Sequence, residues 1–386
     1  MQDSHHDDEA AERVLEFIPK TTRFVRLPDR LPLKRGGRLH GARIAYEAIG
    51  CLNACKSNVI LIMTGLSADA HVTSTEDDCS QGWWENMVGP GRPIDTRRWH
   101  VICINSLGSC KGSTGPASIN PATGLAYGLT FPELSIEDIA DTAAYTVRAL
   151  GFERLACVIG TSMGGMSALA LLTRHPGLTA NHINISSAIH AEPFAIAMRS
   201  LQREAIQNDP LWNRGRYDQD SFPAQGMLMA RKLALVSYRS GKEWITRFGR
   251  RLMDVPEDWY RTPFSPQFEV ERYLAYQAQR FVGRFDPNCF LYLSQSIDWF
   301  DLGESFGCPA PEALSHLQIE NALVIGVDTD MLFPIHQQQG IYDGLRKNGA
   351  RALFRPLDSP VGHDAFLVET KVFGLHIADF LAALAV

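Results

Sequence analysis

Five short runs of the chain are almost purely apolar: residues 59–63 (VILIM), 101–104 (VICI), 155–159 (LACVI), 182–185 (HINI) and 323–327 (LVIGV). Each has the length of a strand and is bounded by Gly, Asn, Thr or Ser. A strand that shows one face to water alternates polar and apolar residues, so unbroken runs predict parallel strands buried on both faces. Helical patterns lie between them. Residues 135–150 (SIEDIADTAAYTVRAL) open on a serine fit to cap a helix, put Glu137 and Asp138 in the first turn, and stop before Gly151. Strand and helix in repetition predict an α/β fold with a doubly wound, mostly parallel sheet and right-handed crossovers.

Two regions depart from this rhythm. Residues 22–48 carry alternating segments that read as an antiparallel strand pair ahead of the parallel part. Residues 191–310 are rich in Trp, Tyr, Phe, Arg and Gln, with helix-like stretches at 194–207 and 226–237 and no buried-strand run. They predict a helical lid inserted into a core made of residues 21–190 and 311–386. Residues 1–20 read as a disordered tail, acidic and histidine-containing, without the apolar segment of a signal peptide. At 386 residues the chain suffices for one large core plus that insertion.

Composition excludes several classes of partner. The formal net charge is −6, which argues against nucleic acid or an anionic membrane as the main partner. No run reaches the ~18 apolar residues of a membrane span. The eight cysteines are scattered rather than set at metal spacing. They read as reduced thiols, with no metal site, in a cytoplasmic protein.

Chemistry enters at Gly160-Thr161-Ser162-Met163-Gly164-Gly165, directly after the LACVI run and before a helical segment. A G-x-S-x-G turn between a buried strand and a helix throws the serine hydroxyl up at the sheet edge, and the glycines let strand and helix pack closely. A serine hydroxyl is a weak nucleophile until a base takes its proton and an acid orients that base. The chain order in this arrangement is serine, acid, histidine. His363, in the turn-rich loop 359–366, stands where the base belongs. Asp328 and Asp330 both follow the LVIGV run, and Asp330 is favoured because it lies further past the strand edge. An oxyanion hole would take the Met163 N–H and one from residues 64–67 after the VILIM strand, most naturally that of Leu66.

Several of these segments together resemble the homoserine O-acyltransferase family of the α/β-hydrolase fold. They are residues 160–166 (GTSMGGM), 105–116 (NSLGSCKGSTGP), 203–206 (REAI), 229–231 (MAR) and 362–366 (GHDAF). The resemblance runs from about residue 20 to the end. It implies ping-pong acyl transfer from an acyl-coenzyme A to an amino-acid hydroxyl, with Ser162, Asp330 and His363 as the triad and no cofactor beyond the acyl-coenzyme A co-substrate. It also implies that Arg231 and Asp364 clamp the acceptor's carboxylate and ammonium, which suits a bidentate guanidinium and an anionic partner. Without it, Arg231 would read as a helix-surface residue and Asp364 as a loop cap.

The chain differs from the homoserine-using pattern in the first oxyanion loop. Where those members commonly read L-T-G-D-S-H, it has Thr64-Gly65-Leu66-Ser67-Ala68-Asp69-Ala70-His71. Leu66, Ser67, Ala68 and Asp69 are therefore candidates for acceptor specificity. With Gly82-Trp83-Trp84-Glu85 the loop looks like the serine O-succinyltransferase subgroup, which implies succinyl-coenzyme A and L-serine as substrates. One methylene separates serine from homoserine and discriminates by only ~1–3 kcal/mol, so both acceptors are expected to be used. Succinyl-transferring members often place Arg two residues after the catalytic Asp, and here that residue is Leu332. Arg199 in the lid offers another cation for a second carboxylate, although alone it reads equally as a solvated lid arginine. Homoserine O-acetyltransfer and simple ester or thioester hydrolysis are the competing activities. The aromatic lid makes a homodimer the expected assembly.

Overall fold

A computed structural model of the chain describes residues 18–218, 220–254 and 262–384. Its centre is an eight-stranded sheet built from β1 (Arg23–Arg26), β2 (Arg43–Ile49), β3 (Val59–Met63), β4 (His100–Ile104), β5 (Cys157–Thr161), β6 (Asn181–Ile185), β7 (Asn321–Val327) and β8 (Arg351–Leu357). The order across the sheet is β1-β2-β4-β3-β5-β6-β7-β8. β1 and β2, and β2 and β4, pair antiparallel, and every later pair is parallel. All five residues of β3 are buried. Val59, Leu61 and Met63 enter the core on one face of the sheet, and Ile60 and Ile62 enter the core on the other. That two-sided burial is why the run contains no polar residue.

Helices cover both faces. The helix α1 (Ile136–Ala149) is capped as its sequence predicts: Ser135 Oγ accepts the Asp138 N–H at 3.1 Å, and Asp138 Oδ2 accepts the Ser135 N–H at 2.9 Å. The helix α2 (Met163–Arg174) follows β5 immediately. Between β6 and β7 come α3 (Pro193–Gln207), α4 (Ala224–Tyr238), α5 (Gly241–Arg247), α6 (Glu269–Gln279) and α7 (Pro287–Trp299). Here α3 packs on α4 and α7, and α4 packs on α6. The helices α8 (Ile335–Lys347) and α9 (Thr370–Ala382) complete the chain around β7 and β8.

Most of the tail expected over residues 1–20 lies outside the described residues, which begin at Ile18. Lys20 is already fastened, its N–H donating to Asp78 Oδ2 at 3.0 Å. The strand β8 carries Arg351, Arg355 and Pro356 at one edge of the sheet. Charged residues and proline on an outermost strand discourage pairing with another chain.

Register decides what meets at the carboxyl ends of the parallel strands. Met63 lies opposite Gly160, Ile185 opposite Thr161, and Ile325 opposite Ile185. The loops leaving β3, β5 and β7 therefore emerge side by side, bringing residues 64–67, Ser162 and Asp330 to one rim.

Candidate active site

A single residue, Ser162, joins β5 to α2. Its backbone sits at φ 54°, ψ −125°, outside the regions an L residue favours, at a cost of about 1–3 kcal/mol. The Ser162 N–H donates to the Ile185 carbonyl at 3.0 Å and holds the turn against β6. Side chains are excluded on both flanks. A Cβ on Gly164 would lie 2.0 Å from the Met63 carbonyl oxygen, and one on Gly160 would lie 2.4 Å from that of Gly164.

His363 Nε2 lies 2.9 Å from Ser162 Oγ, and its Nδ1 lies 2.7 Å from Asp330 Oδ2. The other carboxylate oxygen, Oδ1, accepts the Leu332 and Phe333 N–H groups at 2.9 and 3.0 Å. With Asp330 so held, the imidazole carries its proton on Nδ1 and turns an acceptor toward the serine hydroxyl. Asp328 is spent elsewhere: Oδ1 accepts the Ser359 N–H at 3.1 Å and Oδ2 lies 3.5 Å from Lys242 Nζ. Burial pulls the His363 pKa down, but the Asp330 charge and hydrogen bond, with a contribution from Asp364, outweigh it and raise the pKa above the ordinary value. Phe333, Tyr238 and Phe366 pack around the imidazole with ring centroids 5.1, 5.8 and 5.9 Å away.

Met163 opens α2, so its N–H has no partner within the helix, and Leu66 stands in the turn after β3. Among the described residues neither N–H finds a backbone acceptor. Both are available to a negative oxygen formed at Ser162. The rest of the loop is stitched down: the Ala68 carbonyl accepts from Asn105 Nδ2 at 3.0 Å, and Asp69 Oδ1 accepts the His71 N–H at 3.1 Å. Ser67 is exposed, whereas Leu66, Ala68 and Asp69 are partly covered.

Cations come from the helices between β6 and β7. Arg231, on α4, lies with its guanidinium 4.5 Å from the Phe281 ring centroid and 5.6 Å from that of Tyr238, and its Nε is buried with no hydrogen-bond partner among the described residues. Tyr238 thus bridges Arg231 to His363. Arg199 on α3 is not solvated: only 6% exposed, it sits with Nε 2.5 Å from Asp298 Oδ1. Arg203 Nη2 approaches the other oxygen of Asp298 at 2.7 Å, so two guanidiniums share one carboxylate. Arg199 Nη2 is buried without a partner among the described residues. Asp364 lies 3.3 Å from Arg239 Nε, so an incoming ammonium would compete with that arginine. The sequence reading missed Asp298, Arg203, Tyr238 and Arg239. Only Arg203 lay inside a quoted motif, and Asp298 meets Arg199 from 99 positions away.

The family profile of the α/β hydrolase fold matches residues 58–370. An L-serine/homoserine O-acetyltransferase of Streptomyces lavendulae is 60% identical over 372 residues, covering 96% of this chain and 100% of that one. A serine O-succinyltransferase of Stenotrophomonas maltophilia strain K279a is 58% identical over 369 residues, again with 96% and 100% coverage. Among solved structures, the homoserine O-acetyltransferase from Bacillus anthracis superposes with a TM-score of 0.86 at 28% identity, covering 96% of this chain and 99% of that one. The chain belongs to the α/β-hydrolase-fold family and, within it, to the homoserine O-acyltransferases, in the branch that includes the serine O-succinyltransferases.

Proposed function

We propose that the protein transfers a succinyl group from succinyl-coenzyme A to the hydroxyl of L-serine, and also of L-homoserine, by a ping-pong mechanism. The observation that carries this reading is the continuous bond path Asp330–His363–Ser162 beneath lid arginines with unpaired buried donors, in a chain so close to named serine acyltransferases. Ser162 Oγ attacks the thioester carbonyl as His363 Nε2 takes its proton. The Met163 and Leu66 N–H groups hold the oxyanion, and the carbon–sulfur bond breaks with the proton passing to the leaving thiolate. Serine then binds with its carboxylate on Arg231 and its ammonium on Asp364. His363 takes the hydroxyl proton as that oxygen attacks the acyl-enzyme, and returns it to Ser162 Oγ.

Residues 191–310 act as a lid that keeps water from the acyl-enzyme, so that transfer outruns hydrolysis. Succinyl selection rests on Arg199, whose free Nη2 would meet the second carboxylate. Acetyl transfer is the second reading. The 60% identity to the Streptomyces lavendulae enzyme favours it, as do the neutral Leu332 and the Arg199–Asp298 ion pair. The protein is read as a cytoplasmic homodimer of sulfur amino-acid biosynthesis, with exposed lid residues such as Phe194 and Ile245 at the interface. The discriminating experiment is steady-state kinetics crossing succinyl- and acetyl-coenzyme A with serine, homoserine and no acceptor. Higher kcat/KM for succinyl-coenzyme A, lost in Arg199→Met while acetyl transfer persists, supports the first reading. Acyl-coenzyme A turnover that ignores the acceptor would make the protein a hydrolase.

A further inference from the structure

The oxyanion loop rests on a buried charge pair that the reaction itself does not use. His71 and Glu47 have side chains 4% and 2% exposed, with His71 Nδ1 3.0 Å from Glu47 Oε2. The other ring nitrogen, Nε2, faces the Ser80 carbonyl at 2.9 Å and Ser80 Oγ at 3.2 Å. Ser80 Oγ donates to Asp78 Oδ1 at 2.7 Å, so toward the imidazole it is an acceptor too. Nε2 therefore faces acceptors only, and with Glu47 as a carboxylate Nδ1 does too, so each nitrogen carries a proton and His71 is an imidazolium.

Each neighbouring element contributes to this setting. From the segment before β1, Thr22 Oγ1 donates to Glu47 Oε1 at 3.0 Å. On the loop itself Asp69 caps the His71 N–H, while its backbone carbonyl accepts the Trp83 indole N–H at 3.1 Å and a longer contact from the Cys103 thiol of β4. Lys111 lies close enough to Asp69 to act on it electrostatically, and Asp78 acts likewise on His71. The hydrogen bond that His71 donates to Glu47 chiefly raises the His71 pKa, against the pull of burial, to about 9.

We propose that the His71–Glu47 ion pair is a positioning device for acyl transfer, clamping residues 64–71 to β2 and to the 78–85 loop so that the Leu66 N–H points at the oxyanion. The inference rests on the reading that Ser162 is acylated and that Leu66 donates. Neither His71 nor Glu47 touches substrate. Removing one proton from the pair leaves an imidazole lone pair facing a carboxylate in a site shielded from water. The loop then loses its anchor.

The test uses p-nitrophenyl acetate with the full chain and no acceptor, because the amino group of serine titrates in the same pH range. Acylation of the unaltered protein should fall with a one-proton limb near pH 9. In Glu47→Gln the imidazole is neutral, accepting on Nδ1 from the new amide and still donating to Ser80, so the limb should vanish while the rate at pH 7.5 stays within about threefold. His71→Leu should lose ~10–100-fold in acylation rate, short of the ~10²–10³-fold that outright removal of an oxyanion donor costs, with KM changed less than threefold. In the unaltered protein, 15N NMR should show both His71 nitrogens protonated at pH 7.5. A limb of unchanged position in Glu47→Gln, an acylation rate in His71→Leu equal to that of the unaltered protein well below the melting temperature, or a neutral His71 would overturn the positioning role alone. If Ser162→Ala keeps the nitrophenolate burst, the nucleophile assignment falls and this inference falls with it.

Discussion

The rim of the sheet and the helices between β6 and β7, the proposed lid, build their halves of the candidate site from different materials. At the rim, strand pairing and backbone contacts set nearly everything: Ser162 is pinned by Ile185, Asp330 by two main-chain N–H groups, and the Met63 carbonyl leaves no room for a side chain at Gly164. In the lid, long side chains do the work. Arg199 and Arg203 on α3 share the Asp298 carboxylate, Arg239 just past α4 meets Asp364, and Arg231 on α4 lies against the Phe281 and Tyr238 rings. A rim built from backbone can hold the chemistry constant, while a lid built from side chains can change the substrate by single substitutions.

Substitutions at the rim should break this division most severely. Ser162→Ala is expected to lower kcat on the order of 10⁵–10⁶-fold with an unchanged circular dichroism spectrum. Asp330→Asn should cost ~10⁴-fold by admitting the wrong imidazole tautomer, measurable in single-turnover acylation. In the lid, Arg231→Ala should raise KM for serine about 10–100-fold, the value of a charged hydrogen bond, and leave acylation by the thioester within a few-fold. Gly164→Ala should lower stability by about 1–3 kcal/mol, seen as a lower urea midpoint. The smallest effect is in pH.

As the proposed base His363 must be neutral to act, and its pKa is raised, so the acid limb of kcat/KM should lie above pH 6.5. The linked stability has the opposite sign. The charged form contributes fully below the unfolded pKa, near 6.5, and that contribution is lost as pH rises through the higher folded value. Chemical denaturation at several pH values checks this.

What the sequence revealed follows the same division. The strands β3 to β7 were legible because burial on two faces favours apolar residues, with His182 and Asn184 of β6 the buried polar exceptions, and the turn at Ser162 was legible because close backbone approach demands glycine. β8 escaped because as an edge strand it alternates partly covered and exposed positions and carries two arginines and a proline. α2 begins at Met163, earlier than its helix-forming residues suggest, because Gly164 and Gly165 serve packing at a cost in helix propensity. In the lid, Arg199 gave no sign of its partner. An ion pair between α3 and α7 depends on how two helices cross, and no local pattern records that. Asp330 could be separated from Asp328 only by the loop's turn, which sends one carboxylate to the imidazole and the other to Ser359.

The left-handed backbone at Ser162 has an evolutionary corollary. Glycine would occupy that conformation without penalty, so Ser162→Gly should melt at a higher temperature than the parent while being inert. Folding and turnover thus pull this one codon in opposite directions. In a lineage released from the need for the reaction, selection for a sturdier protein would itself favour erasing the hydroxyl.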